Sequence, residues 1–305
     1  MDGGRTINYF PSRISSIDIN AETRTCCFTT AGDTTPPEVH ITKLPSDSSD
    51  EDYGVLGLAA LSFRPTSITT IFAAAVNPWL NSNGQETIAI GTSHEQGIQV
   101  LESSTHSISR SDWHYKPHYK AYADVLSVDW LGPHLLAAGC RNSGVILYDV
   151  RAGSGIKRMK HSHGIMKLKR ADCSTRFVVA GMGCEMAMYD LRALREKDAS
   201  LPEESPAKFA EPVVSFYYEN QYDYMLGMDV SAELGIVAAA ETGGMLRASS
   251  LMTGKTVKTW DIGDKDNKVT SVKFAEDDTG ITTILACCGP EVVELGITEK
   301  VSQAW

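Results

Sequence analysis

The chain has 305 residues, of which 42% are hydrophobic and 22% charged, and a formal net charge of −10. That is enough chain to bury a large core, in a composition ordinary for globular proteins. The acidic balance repels phosphate backbones, no apolar run approaches the roughly 18 residues of a membrane span, and the N-terminus has no secretory apolar core, so nucleic acid, membrane insertion and secretion are not expected and a nuclear and/or cytoplasmic protein is.

In chain order, residues 1–12 are polar. A first strand-rich unit spans Arg13 to Pro45, with alternation at Ser15–Ile19 and Thr25–Thr29 and a third strand at Val39–Thr42. Pro45 to Gly54 is a polar acidic loop, where Ser48 and Ser49 precede Asp50, Glu51 and Asp52 in the pattern of an acid-directed kinase; a solvated loop is the commoner role of such a stretch. A second unit runs from Val55 to about Ser103, with strands expected at Leu58–Phe63, Thr70–Val76, Thr87–Thr92 and Gly97–Leu101. Residues 104–122 then form a long excursion in which Trp113, His114, Tyr115, His118, Tyr119 and Tyr122 interleave with Arg110, Lys116 and Lys120, either a binding surface or a loop held down by its aromatics.

From Ala123 to Arg192 the chain repeats itself. Each half has an alternating run, a polar turn, a run through Ala-Gly, and a last run ending Tyr-Asp-x-Arg: Tyr148-Asp149-Val150-Arg151, then Tyr189-Asp190-Leu191-Arg192. Asp149 and Asp190 lie 41 positions apart, within the period of about 40–45 residues of a WD-type propeller blade. Residues 193–212 are a second excursion, helix-like at Ala193–Lys197 and then rich in Pro and Glu. A fifth unit covers Val213 to Trp260, with a tight turn at Thr253-Gly254-Lys255, and a sixth covers Val269 to Thr298.

Six such units in residues 1–305 predict a single all-β WD-repeat β-propeller domain of six recognisable blades, with seven allowed. A lone four-stranded blade cannot bury both faces, whereas stacking blades about an axis does. Small residues recur at one place in the second to sixth units (Ala89, Ala137-Ala138, Ala180, Ala238 to Ala240, Ala286), which suggests a crowded inner strand near the axis. The seven cysteines are odd in number, lack Cys-x-x-Cys spacing and sit in apolar contexts, so buried reduced thiols are expected.

Catalytic signatures are missing: there is no phosphate-binding Gly-x-x-x-x-Gly-Lys-Ser/Thr, no Gly-x-Ser-x-Gly and no His-Glu-x-x-His. His161 and His163 are i,i+2 and would share a face on a strand, but no carboxylate or cysteine nearby in the sequence completes a metal site. His114 and His118 are similarly unsupported. No enzyme activity, metal or cofactor is therefore expected, and a hydrolase with an axial metal is the weakest reading. The informative pattern is the Asp-x-Arg pair. Asp149/Arg151 and Asp190/Arg192 each place acid and guanidinium on one side of a strand end, which would set two like-placed forks for a partner's carboxylates or carbonyls on one rim.

This doubled Tyr-Asp-x-Arg resembles the doubled Trp-Asp-x-Arg box of WD-repeat substrate receptors of cullin-4 RING ubiquitin ligases, the damage-specific DNA-binding protein 1 and cullin-4 associated factors, and those of the fourth type in particular. Asp124-Val125-Leu126, Leu135 to Arg141, Ser143-Gly144, Asn220 to Tyr224 and Glu233 to Ala238 extend the likeness, which covers about Asp124 to Glu294. It implies a non-catalytic receptor whose Arg151 and Arg192, supported by Asp149 and Asp190, bind the adaptor damage-specific DNA-binding protein 1, while another face recruits a protein substrate for ubiquitination. Tyr148 and Tyr189, which complete the expected partner-binding set with Asp149, Arg151, Asp190 and Arg192, stand where the family has Trp, keeping an aromatic plug with different hydrogen bonding, and the fifth and sixth units lack the box. The alternative is a protein–protein interaction scaffold in another nuclear or cytoplasmic complex.

Overall fold

The computed structural model describes residues 12–20, 22–44, 61–64, 68–80, 85–93, 97–103, 113–115, 123–152, 154–193, 211–263, 268–276 and 280–297. Among them every regular element is a strand, and the strands form six antiparallel sheets in which neighbours follow chain order. The chain divides into two compact units, Met1–Arg158 and Met159–Trp305.

In the first unit, Ile14–Asn20 (β1), Thr25–Thr30 (β2), Val39–Lys43 (β3) and Leu61–Phe63 (β4) make one sheet. Ile71–Val76 (β5), Thr87–Thr92 (β6), Ile98–Ser103 (β7) and Trp113–Tyr115 (β8) make the next. Val125–Trp130 (β9), Leu135–Cys140 (β10), Gly144–Asp149 (β11) and Ser154–Lys160 (β12) make the third, the division between units falling inside β12. The second unit holds Ile165–Arg170 (β13), Arg176–Gly181 (β14), Met186–Asp190 (β15) and Val214–Phe216 (β16). It continues with Met228–Ser231 (β17), Ile236–Ala240 (β18), Met245–Ser250 (β19) and Thr256–Asp261 (β20), then a three-stranded sheet of Val269–Glu276 (β21), Thr282–Cys288 (β22) and Glu291–Gly296 (β23).

The fourth strands depart from the sequence reading. Leu61–Phe63 closes the first sheet instead of opening the second, Trp113–Tyr115 lies inside the expected 104–122 excursion, and Val214–Phe216 belongs to the fourth sheet, not the fifth. These strands are three residues each and pair along one edge only, so they need little alternation and leave little pattern to read. The turn at Thr253–Lys255 does join β19 to β20. The kinase-type serines Ser48 and Ser49, residues 194–197 of the helix-like stretch, His118, and the side chain of His114 lie outside the described residues.

Within each unit the first strands of successive sheets lie side by side, β1 with β5 and β5 with β9, then β13 with β17 and β17 with β21. Side chains staple them. Asp18 on β1 accepts the Val76 N–H (2.8 Å), Asp229 on β17 accepts the Phe274 N–H (3.0 Å), and the Trp130 indole on β9 donates to the Ala75 carbonyl (3.0 Å). The repeated alanines lie on the second strands (β6, β10, β14, β18, β22), not on the first, and Ala89, Ala137, Ala180, Ala238 and Ala286 are all fully buried. The crowding comes from packing against both faces of a sheet. At Gly91 on β6, a Cβ would meet the Val125 carbonyl of β9 at 2.7 Å, which only glycine avoids.

Of the cysteines, Cys26, Cys27, Cys140 and Cys288 are buried, Cys173 and Cys287 partly so, and none of the seven forms a disulfide. Cys184 corrects the expectation of burial: it is exposed, in the turn between β14 and β15.

Candidate functional site

Both Asp-x-Arg sequences form the same closed clasp, one in each unit. The strand ends at the aspartate, and the middle residue is drawn inward: Val150 N–H donates to the His134 carbonyl (3.0 Å), and Leu191 N–H to the Thr175 carbonyl (2.7 Å). The arginine is thereby turned outward. Its backbone N–H donates to the aspartate Oδ1, at 2.9 Å for both Arg151 and Arg192, in the local two-residue turn that aspartate favours. Its guanidinium then folds back on the same carboxylate. Arg151 reaches Asp149 through Nε (3.2 Å) and Nη2 (2.8 Å); Arg192 reaches Asp190 through Nε (3.0 Å) and Nη2 (2.6 Å).

The result is a fixed cation on an outer edge. The arginine side chains are 67% and 65% exposed, while their aspartates are 16% and 8% exposed. A guanidinium has five N–H donors in a rigid plane, so a clasp through Nε and Nη2 leaves Nη1 for a partner. Hydrogen bonds from Arg151 hold the Asp149 carboxyl at about 2, against its ordinary 3.8, despite the opposing effect of burial. Asp190 is pulled well below the usual carboxylate range by Arg192 and, in addition, by Arg176. Both clasps therefore stay ionised from mild acid upward.

The copies differ at one cross-strand position. Asp149 stands opposite Leu135, whereas Asp190 stands opposite Arg176, whose Nε donates to Asp190 (3.1 Å) and whose Nη1 donates to Asp172 (2.9 Å). Aligning the repeats places Leu135 and Arg176 at one position, so this second cation was open to sequence reading but escaped it. Asp190→Ala is expected to cost about 2–3 kcal/mol, since it removes a buried acceptor shared by two charged donors; chemical denaturation measures it.

The tyrosines lie behind the clasps. Tyr148 and Tyr189 correct the expectation that they contact a partner, since both are buried and pack inside their sheets; Trp130, Leu136 and Tyr148 form one row across β9, β10 and β11. The Tyr189 hydroxyl is hydrogen-bonded to His161 Nδ1 at 2.6 Å, with Phe177 stacked on its ring. Burial, with Glu185 nearby, pushes the Tyr189 hydroxyl up to about 12. His161 and His163 do not form a pair on a strand as their spacing suggested: both lie in the connection between β12 and β13. His161 turns in to Tyr189, while His163 packs on Gly183 with Nδ1 3.7 Å from Glu185, a nearby carboxylate the sequence reading missed. Among the described residues no group of three His, Cys, Asp or Glu is placed to hold a metal ion.

Burial lowers the His161 pKa below its ordinary 6.5, His163 adding to this and Glu185 opposing it. The unfolded chain therefore binds more protons in this window. The stabilisation is complete above about pH 6.5 and declines as pH falls below it. Tyr189→Phe should cost about 1–3 kcal/mol by leaving a buried ring nitrogen unpaired. Urea melts at pH 7.5 and 5.5 check both statements, wild type being less stable at the lower pH.

No protein-family profile matches the chain. Its sequence is similar to "WD repeat-containing protein 21" of Schizosaccharomyces pombe, with 30% identity over 105 residues. That match covers 34% of this chain and 25% of the relative, so the chain spans about a quarter of the curated relative it matches. The fold is shared with a chain of the structure titled "COPII on membranes, outer coat vertex" (TM-score 0.70, 11% identity, 97% of this chain and 72% of that one). A chain of "The structure of the COPII coat assembled on membranes" matches equally well over 40% of its own length. Six antiparallel sheets whose first strands are adjacent within each unit, a WD-repeat relative and these structural neighbours together make the fold a WD-repeat β-propeller.

Proposed function

We propose that the protein is a non-catalytic substrate receptor of a cullin-4 RING ubiquitin ligase, which docks on damage-specific DNA-binding protein 1 through Arg151 and Arg192. The observation that carries this reading is the doubled clasp: two largely exposed guanidiniums presented in the same way, each oriented by an aspartate through Nη2. Such forks suit carboxylates and carbonyl oxygens of a protein partner. The resemblance of Asp124 to Glu294 to that receptor family supports the same partner. Tyr148 and Tyr189 support the clasps from behind without touching the adaptor, and a separate surface holds the protein to be ubiquitinated.

The test is affinity purification of the tagged full chain from cells, read by mass spectrometry. Recovery of the adaptor together with cullin-4 is the expected result. Recovery of a defined assembly without either would sink the ligase reading and favour a scaffold in another nuclear or cytoplasmic complex.

A further inference from the structure

In the second unit, the chain between β16 and β17 (residues 217–227) lies across two turns at the end of the sheets away from Arg192. Register fixes that end. Arg176, at the start of β14, stands opposite Asp190 of the clasp, and the turn from Met182 to Glu185 leaves the other end of the same strand. Tyr222 N–H donates to the Met182 carbonyl of this turn (2.9 Å). In the turn between β18 and β19, Thr242 N–H donates to the Glu219 carbonyl (3.0 Å) and Thr242 Oγ1 accepts the Gln221 N–H (2.9 Å). The loop is wound on the buried Asn220 side chain. Its Nδ2 donates to the Gly181 and Asp223 carbonyls (3.0 and 2.8 Å), and its Oδ1 accepts the Asp223 N–H (2.7 Å).

This winding holds Tyr222 at a φ of 61°, a left-handed conformation that glycine takes freely and a residue with a Cβ does not. The ring so presented is 74% exposed, and those of Tyr217 and Tyr224 are exposed beside it in the chain. A strained backbone that turns a ring to water does nothing for the core, whereas firmly held, exposed aromatic side chains are the usual anchors of protein interfaces. The charge around them is negative. Arg247 is already held by the buried Glu241, through Nε (2.8 Å) and Nη2 (2.9 Å), and Lys268 by Asp223 (2.5 Å). Among the described residues Glu185 and Glu219 pair with no lysine or arginine: Glu185 lies near His163, and Glu219 accepts the Tyr217 hydroxyl. The loop also contains a worked example of what such a surface takes. The Arg247 guanidinium lies over the Tyr217 ring, 4.4 Å from its centroid, with its fork on a carboxylate. An aromatic face with a carboxylate nearby is complementary to guanidinium, which stacks on the one and hydrogen-bonds to the other.

We propose that this loop is a docking surface for an arginine-bearing extended segment of a partner protein, with the arginine stacked on Tyr222 and its charge met by Glu185 and Glu219. In the receptor proposed above it is the surface that holds the protein to be ubiquitinated. That assignment rests on the ligase reading; the docking itself does not.

The experiment is selection of random dodecapeptides displayed on phage against the purified full chain with no adaptor present, followed by fluorescence anisotropy of the selected peptides at low salt. Its outcome is therefore independent of adaptor binding. Selected peptides should be enriched in arginine and should lose affinity when that arginine is replaced by glutamine. Tyr222→Gly should weaken binding about tenfold or more, and Glu185→Gln with Glu219→Gln about threefold or more. Met252→Ser, at an exposed position in the β19–β20 turn, should change nothing. Tyr222→Gly should melt no lower than the wild type, because glycine accepts the left-handed φ, so its loss of binding is not a loss of fold. The proposal is overturned if no peptide is selected, if the selected peptides show no preference for arginine, or if Tyr222→Gly binds them with undiminished affinity. Self-association of the wild type in analytical ultracentrifugation that Tyr222→Gly abolishes would assign the loop to a second copy of the chain and overturn it equally.

Discussion

Arg151→Ala combined with Arg192→Ala is expected to abolish recovery of damage-specific DNA-binding protein 1 while leaving the fold intact. The substitutions remove exposed side chains whose atoms fill no core space, and each aspartate keeps the backbone N–H of the substituted residue as a donor. Asp190 also keeps Arg176, so the fourth sheet should tolerate its change better than the third. Circular dichroism and thermal melts of the double variant should therefore overlay the wild type closely. The single variants separate two cases. If the partner reads both forks, either change weakens binding and the double change removes it; if it reads one, one single variant reproduces the double. Lysine at both positions is the sharper control, because it keeps the charge but loses the planar fork that clasps the aspartate. Full adaptor binding by Arg151→Lys plus Arg192→Lys would show that charge alone suffices, and full binding by the double alanine variant would remove the site.

The clasps were legible in the sequence because their logic is local. Asp, an apolar residue and Arg after an alternating run dictate a strand end, an inward anchor and an outward fork, and a second copy 41 positions on makes chance an inadequate account. The strand content was legible for the same reason, from alternation and turn residues. What escaped was whatever depends on pairing at a distance. β4, β8 and β16 carry too few residues to declare a period, so their sheets could not be assigned until their partners were known. The alanines revealed crowding but not its source, because a second strand packed on both faces and a strand near an axis select the same small side chains. His161 and His163 share a spacing that fits a strand, yet they sit in a connection where one imidazole serves a buried tyrosine and the other lies near Glu185.

Trp130→Ala should give the largest loss of stability of any change considered, and it should do so through the sheet whose strand β11 leads to Arg151. Trp130 is essentially fully buried on β9, beside Leu136 on β10, which in turn stands beside Tyr148 on β11. Its removal leaves a cavity the size of an indole at the root of that row, for which truncation of a buried aromatic costs about 3–5 kcal/mol. It also strands the Ala75 carbonyl on β5, which accepts the indole N–H at 3.0 Å. That bond ties two neighbouring sheets together, so the damage is not confined to one of them. Trp130→Phe divides the two contributions: it retains most of the packing and loses the donor, so it should fall well short of the alanine variant, by an amount nearer the about 1–3 kcal/mol of an unsatisfied buried acceptor. The Asp149–Arg151 clasp is made within three residues, so it should persist wherever β11 is still folded. Adaptor binding by Trp130→Phe at a temperature well below its melting point should then match the wild type, whereas Trp130→Ala should lose binding in step with its unfolded fraction. Loss of binding by fully folded Trp130→Phe would mean that the aromatic row sets the position of the fork, and not merely the stability of the sheet behind it.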